Sequence, residues 1–316
     1  MAIATLSLNP TIDVSSDTDL VRPTHKIRTA DEEYEPGGGG VNVARVINEL
    51  GGDAHVICPA GGFSGKMLDE LLGLIPVPRT IVPIAGKTRI SFTVFERKTG
   101  HEFRFIPNGP KLSRKEVNAC LQAVRDTDFD YFVASGSVPL GAPSDVLAQV
   151  AMIAKEKGAR FVLDSSGAGL RVTLEEASVY MVKPSLSELE ALVGRRLDQA
   201  GVVEAAKDLV KRKRAEVVAV TMGSHGAVVV TRNKTIRAMA PKMDAHSAVG
   251  AGDAFVGAMT LALSRGDDVE AALMLATAAG AATTLTPVSK VCARDDVMRL
   301  HKAVRRAQPP RHRQPA

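Results

Sequence analysis

Ser247-Ala248-Val249-Gly250-Ala251-Gly252-Asp253-Ala254-Phe255 is the stretch of this 316-residue chain best suited to chemistry. Small residues set a tight turn and a carboxylate follows at once. The apolar run of Phe255, Val256, Ala258, Met259, Leu261 and Ala262 then reads as the helix behind them. Bare backbone N–H groups at a helix start, with the positive end of its dipole, attract a phosphate. An acid in that first turn could take a proton from an attacking hydroxyl. The pairing suits phosphoryl transfer to an alcohol. Asp253 would equally serve as a first-turn acid stabilised by the dipole. The Gly250-Ala251-Gly252 flank favours chemistry, because a cap needs no run of bare backbone.

A second glycine cluster, Gly37-Gly38-Gly39-Gly40, precedes Val41-Asn42-Val43-Ala44. Glycines before a helix let a ligand reach backbone atoms, and the Asn42 amide can both donate to and accept from sugar hydroxyls. A flexible turn before an ordinary helix is the competing reading. Asp13, in Asn9-Pro10-Thr11-Ile12-Asp13, could hold two sugar hydroxyls or be a solvated turn residue. Lys26, Arg28 and Arg89 could pair with a substrate phosphate, the arginines bidentately, or be surface cations. Neither a GxxxxGK[ST] loop nor a GxGxxG that opens a dinucleotide site is present; Gly61-Gly62-Phe63-Ser64-Gly65-Lys66 lacks the spacing. That argues against Walker-type hydrolysis and against a dehydrogenase.

The elements that must position these residues alternate in the second half. Strands are expected at Tyr131–Ala134, Arg160–Asp164, Val179–Val182 and Glu216–Thr221. Helices are expected from Val146, at Ser187–Leu192 and at Val202–Lys213. Val-rich runs between helices imply a parallel sheet covered on both faces, whose ligands sit beyond the carboxyl ends of the strands. Ser135, Ser137, Asp164, Lys183 and Thr221 fall at those ends. The first hundred residues differ: extended pieces at about 12–36 and 86–107, the second turning at Gly100, predict a small separate sheet acting as a lid. One domain over 1–316 is expected, with a flexible basic tail at 305–316.

Bulk properties narrow the function classes. A hydrophobic content of 45% supports a full core, and no apolar run approaches membrane-spanning length. Met1 leads directly into Ala2–Leu8, which reads as a first buried strand and not as a signal peptide. Cys58, Cys120 and Cys292 are scattered and odd in number, as expected of reduced thiols in a cytoplasmic protein. The net charge is +5, but aromatics are 4% and Trp is absent. The basic runs, Lys211–Arg214 and the tail, make neither a basic stripe nor a stacking platform, so no nucleic-acid partner is expected.

The two glycine clusters together resemble the signatures of the PfkB family of carbohydrate kinases, within the ribokinase-like superfamily. Gly38-Gly39-Gly40-Val41-Asn42-Val43-Ala44 with Gly51 and Gly61 resembles the first signature, and Val249-Gly250-Ala251-Gly252-Asp253 the second. Within the family the chain looks most like the minor-type bacterial 6-phosphofructokinases. The segments that carry this are Glu35–Gly40, Phe103-Arg104-Phe105, Ser135–Pro139, Asp164–Gly167 and Ala278-Ala279-Gly280. The resemblance implies a three-layer α/β/α fold with a mostly parallel central sheet and a small β-sheet lid. It also implies transfer of the ATP γ-phosphoryl to O1 of fructose 6-phosphate. Asp253 would be the general base, with Gly250, Ala251 and Gly252 as the anion hole. Asp13, Gly38, Gly39 and Asn42 would hold the sugar, and Lys26, Arg28, Arg89 and Ser137 its phosphate. Lys183, Ser185, Thr221, Gly223, Gly226 and Ser247 would lie on the nucleotide side.

Several further expectations come with the resemblance. Glu188 would organise Mg²⁺ through water, in a Ser185-Leu186-Ser187-Glu188 segment where the family often has Asn in place of Ser185. Ala248 stands where Thr is common. Many members hold K⁺ through backbone oxygens, here at Ser247, Val249, Thr283, Thr286 and Val288, with Lys290 in the same loop. The lid sheet of such kinases pairs with that of a second subunit, implying a homodimer. Tagatose-6-phosphate kinase and 1-phosphofructokinase are the neighbouring activities. A catalytically inactive sugar- or nucleotide-binding regulator is the non-enzyme alternative, against which the intact Gly-Ala-Gly-Asp turn argues. A nucleoside kinase would not need the Lys26, Arg28 and Arg89 set.

Overall fold

The first strand, β1 (Ile3–Leu6), is buried at all four positions and lies inside a ten-stranded sheet. The computed structural model describes residues 1–241, 243, 247–286 and 290–306. From β1 the chain runs β2 (Thr11–Thr18), β3 (Ala30–Gly37), α1 (Gly39–Glu49), β4 (Ala54–Ala60), α2 (Gly62–Gly73), β5 (Arg79–Pro83), β6 (Arg89–Glu96), β7 (His101–Phe105) and α3 (Arg114–Asp126). It continues β8 (Tyr131–Ser135), α4 (Val146–Glu156), β9 (Arg160–Asp164), α5 (Gly167–Glu176), β10 (Val179–Val182), α6 (Leu186–Val193), α7 (Gln199–Lys211) and β11 (Ala215–Thr221). The last part is β12 (Ala227–Val230), β13 (Thr235–Met239), α8 (Ala251–Ser264), α9 (Val269–Thr283), α10 (Arg294–His301) and β14 (Arg305–Arg306).

The large sheet has the order β14-β13-β12-β11-β10-β9-β8-β1-β4-β5. From β11 through β5 every pairing is parallel; β12, β13 and β14 add on antiparallel. Side chains alternate across a strand, so β8 sends Tyr131 and Val133 to one face and Phe132 and Ala134 to the other. The first face packs on α1, α8 and α9 through residues such as Ile47, Phe255, Met259 and Leu273. The second packs on α3, α4 and α7 through Leu121, Val150, Ile153 and Val202. This is the three-layer arrangement expected. Among the described residues no helix is long and apolar enough to cross a membrane.

The sheet starts at β1 and extends to both sides of it, towards β4 on one and β8 on the other. The crevice at this switch point is where open α/β sheets bind ligands. A second sheet, β3-β2-β6-β7, comes from the two excursions at 11–37 and 89–105. Its Tyr34, Val14, Phe92 and Phe105 stand opposite one another in a single row. Asp13, Ser91 and Thr93 alternate to the other face, where Ser91 and Thr93 are buried.

Two local differences from the sequence reading have clear causes. The strands after Met222, β12 and β13, to which the sequence reading gave no assignment, form an antiparallel extension, because the 3₁₀ turn Gly223–His225 reverses the chain with no crossover helix. Arg305 and Arg306, assigned to a tail, pair with Met239 and Ala238 as an edge strand. Residues 307–316 of that tail lie outside the described residues.

Candidate active site

The site sits where β1, β8, β9 and β10 end. Gly250 is the N-cap of α8, and its φ of +73° is a left-handed conformation that glycine adopts without strain. The first helical bond runs from Ala254 N–H to the Gly250 carbonyl at 2.9 Å. The N–H groups of Gly252 and Asp253 therefore precede the helical ladder and belong to the anion-attracting end. Lys183, just past β10, lies against the same turn: a Cβ on Gly252 would stand 3.7 Å from its Nζ.

Asp253 joins both halves of the chain. Asn42 Nδ2 donates to its Oδ2 at 2.9 Å, and Ser135 Oγ reaches its Oδ1 at 3.3 Å. Ser135 also donates to Asp164 Oδ2 at 3.0 Å, and Asp164 pairs with Lys183 Nζ at 3.0 Å. The hydroxyl has one hydrogen for two carboxylates. Burial, and next the charge of Asp164, push the Asp253 carboxyl up to about 7, against the opposing pull of Asn42, Lys183 and Ser135. Lys183 is buried, yet Asp164 and Glu188 hold its ammonium above the ordinary range. A carboxyl poised near neutrality beside bare N–H groups and a cation can take a proton from a hydroxyl while a phosphoryl group is neutralised.

The first glycine cluster closes the other wall. Gly39 opens α1 against the end of β8, where a Cβ would fall 2.4 Å from Ser135 Oγ and 2.6 Å from the Gly136 nitrogen. Only a glycine allows that approach. It brings the N-terminus of α1 onto the group that contacts Asp253. Asp13, on β2, is raised above the ordinary carboxylate range by burial, with Arg89, Arg45, Ser91 and Thr11 opposing. Arg45 is itself paired with Glu35. Arg89 Nη2 donates to the Asn9 carbonyl at 2.8 Å and Nη1 to the Pro107 carbonyl at 3.1 Å. Ser137, exposed past β8, is reached by Asn9 Nδ2 at 3.1 Å.

Not every expected residue converges. Lys26 and Arg28 are exposed on the segment between β2 and β3, with no side-chain contact to the site among the described residues. Ser185 and Glu188 form a capping box on α6: Glu188 N–H donates to Ser185 Oγ at 3.3 Å, and Ser185 N–H to Glu188 Oε2 at 2.7 Å. Thr221 ends β11, and Gly223 and Gly226 flank the 3₁₀ turn beyond it. Ser247 approaches the loop after α9, its N–H 3.5 Å from the Thr284 carbonyl. Its Oγ donates to Glu102 Oε2 of β7 at 3.0 Å. The Thr283 carbonyl already accepts from Thr286 N–H and Oγ1, at 3.2 and 2.8 Å. Val288 lies outside the described residues. Sequence reasoning left Ser135 and Asp164 without a role, although both stand at strand ends and in segments that carry the family resemblance.

Comparison with known proteins decides the family. The profile of the pfkB family carbohydrate kinases matches residues 6–295. The chain belongs to the pfkB family of carbohydrate kinases. Among pfkB relatives, the "ATP-dependent 6-phosphofructokinase isozyme 2" of Mycobacterium tuberculosis (strain ATCC 25618 / H37Rv) is 43% identical over 300 residues, covering 94% of this chain and 88% of that one. The isozyme 2 of Escherichia coli (strain K12) is 37% identical over 301 residues, covering 95% and 97%. The structure of phosphofructokinase-2 from Escherichia coli in complex with substrates and products superposes with a TM-score of 0.92 at 36% identity, covering 96% of this chain and 99% of that one. That Escherichia coli protein has also been solved with potassium and as a tetrameric inhibited form. A relative with a different activity in its name, the D-tagatose-1-phosphate kinase of Bacillus licheniformis, is 31% identical over 287 residues, covering 90% of this chain and 93% of that one.

Proposed function

We propose that this chain transfers the γ-phosphoryl group of ATP to O1 of fructose 6-phosphate, yielding fructose 1,6-bisphosphate and ADP. The observation that carries the reading is Asp253, held by Asn42 and Ser135 at the start of α8 with Lys183 alongside. The two isozyme 2 relatives, which align over nearly the whole chain, give the substrate. Asp253 accepts the hydroxyl proton as the oxygen attacks. The N–H groups of Gly250, Ala251 and Gly252, with Lys183, face the charge on the migrating phosphoryl. Positioning and charge stabilisation supply most of such a catalysis. Asp13, Gly38, Gly39 and Asn42 line the sugar side; Arg89 and Ser137 take its phosphate. Lys183, Ser185, Thr221, Gly223, Gly226 and Ser247 line the nucleotide side.

The metal assignments fit to different degrees. Glu188 Oε1 makes no hydrogen bond among the described residues, which suits an ion held through water. Mg²⁺ there would neutralise phosphate charge. For K⁺, the contact that supports the reading is Ser247 N–H at 3.5 Å from the Thr284 carbonyl, which sets the segment of Ser247 and Val249 beside the α9 end that carries Thr283 and Thr286. The carbonyl of Thr283 is already hydrogen-bonded, so the others carry that assignment. Cysteine usage supports a cytoplasmic location: Cys58, Cys120 and Cys292 are all free and buried.

The second sheet supports a homodimer. Tyr34, Phe92 and Phe105 are 42%, 48% and 60% exposed on one row, an apolar stripe suited to a second copy of itself. Lys26 and Arg28, which make no side-chain contact with the site within one chain among the described residues, are then carried on the segment joining two strands of the sheet that meets the partner. Replacing Phe92 and Phe105 together by Asp is expected to shift the protein to monomer in sedimentation at micromolar concentration. An unchanged sedimentation coefficient would move the interface elsewhere.

An ADP-release panel with fructose 6-phosphate, tagatose 6-phosphate, fructose 1-phosphate, ribose and adenosine tests the activity. Fructose 6-phosphate is expected to give the highest kcat/KM; release above background with none of them would leave a binding protein. Arg89→Ala is expected to raise KM for the phosphosugar by about 10–100-fold, the size of a lost charge-assisted contact. KM for ATP should stay within about threefold. The reverse pattern in initial-rate kinetics would put Arg89 on the nucleotide side.

A further inference from the structure

We propose that Asn9 is a positioning residue that aims Ser137 and Arg89 at the substrate phosphate and so sets the preference for a phosphorylated sugar; this rests on the phosphosugar reading above. Asn9 follows β1 at the switch point and is only 6% exposed. Its Nδ2 donates to Ser137 Oγ at 3.1 Å and to the Asn108 carbonyl at 3.0 Å. A serine hydroxyl has a single hydrogen, and an amide nitrogen has no lone pair to receive it. With Asn9 donating into one lone pair, the hydrogen of Ser137 must point elsewhere. Ser137 is exposed, so that hydrogen is free to meet an anionic oxygen in the crevice.

The main chain of the same residue directs the second group. The Asn9 carbonyl accepts from Arg89 Nη2 at 2.8 Å, while the Pro107 carbonyl takes Nη1 at 3.1 Å. A carbonyl on each Nη fixes the guanidinium plane, and each Nη keeps a second N–H. Residues 107 and 108, leading out of the second sheet, therefore hold Arg89 and the Asn9 amide together. Asn9 Oδ1 and Arg89 Nε are buried without a partner among the described residues. Unsatisfied buried groups destabilise a fold. A residue serving packing alone would not need this amide; one needed for its donor would.

The test uses the full chain with Asn9→Ala and Asn9→Asp. Kinetics are run with fructose 6-phosphate and with fructose, binding of fructose 6-phosphate is measured by calorimetry, and thermal melting checks folding. KM and Kd for fructose 6-phosphate are expected to rise about tenfold or more, with kcat/KM for fructose and KM for ATP within about threefold. Asn9→Asp is expected to be the worse variant, because a carboxylate accepts the Ser137 hydrogen and adds a negative charge. Should Asn9→Ala melt early, Asn9→Ser and a cycle with Ser137→Ala keep the question open to measurement. The Asn9 effect should shrink when Ser137 is already gone. Equal losses on both sugars, or full additivity with Ser137→Ala, would overturn the proposal. If the wild type prefers another phosphosugar, the ratio is read on that sugar and its unphosphorylated form. If it takes no phosphorylated sugar, the wild-type result alone removes the activity assignment and this inference with it.

Discussion

Asp253→Asn is expected to lower kcat by about 10³–10⁴-fold, the size of a lost general base acting with its positioning, while binding of the phosphosugar changes little. Asn at 253 keeps the shape: its carbonyl can accept from Asn42 and its amide can donate to Ser135, which then donates to Asp164 without conflict. The pH dependence follows from the carboxyl being pushed up to about 7. The base works only when ionised, so kcat/KM of the wild type should climb through an acid limb centred near that value and level off above it. Stability runs the other way. A carboxyl that holds its proton more tightly folded than unfolded stabilises the fold below the ordinary carboxylate range. That contribution is lost as pH rises from about 4 through about 7. Asp253→Asn should therefore melt a few °C higher than wild type at pH 8 and no higher at pH 4. A variant with near-native turnover would remove Asp253 from the base role. An unchanged melting temperature at pH 8 would mean that the carboxylate is better solvated than its neighbours indicate.

The parts of this site that sequence alone made legible are those built by neighbours in the chain. The turn at Gly250–Asp253 announces an anion-attracting helix start. The strand ends place Ser135, Ser137, Asp164 and Lys183 on one edge. What sequence could not supply is pairing across long separations. Asn42, read as a sugar-binding amide, donates to Asp253, 211 residues away. Ser135 lies between two carboxylates because β9 sets Asp164 beside it and the start of α8 brings Asp253 to the same strand end, and no local pattern records those contacts. The antiparallel β12 escaped because a Val-rich run looks the same in either direction once both faces are covered, while the Arg305-Arg306 pair of β14 carries no apolar pattern at all. One feature was readable and assigned otherwise. Ser185-Leu186-Ser187-Glu188 matches a capping box, S-x-x-E ahead of a helix, and the structure uses it so. Its hydroxyl is already hydrogen-bonded to the helix start, so of this segment only Glu188 Oε1 is left for the proposed water-held ion.

Lys183→Met should be the most damaging single change after Asp253→Asn, and it should act on folding and catalysis together. The Lys183–Asp164 pair spans 3.0 Å with side chains 6% and 13% exposed. Removing one partner of a buried pair leaves the other charge uncompensated, which costs about 3–5 kcal/mol. Asp164 also faces Asp253 through Ser135, so loss of the ammonium leaves two carboxylates sharing one hydroxyl. The Asp253 carboxyl should then rise further, moving the acid limb of kcat/KM upward. The anion-facing end of α8 loses its cation at the same time, so kcat should fall at every pH. Asp164→Asn separates the two effects. With the like charge gone and Lys183 still present, the limb should move down, while the stability loss is smaller because a protonated amine can donate to the amide oxygen. Melting curves and pH–rate profiles of the two variants check this. A limb that moves in the same direction in both would show that Lys183 and Asp164 act on Asp253 through packing and not through charge.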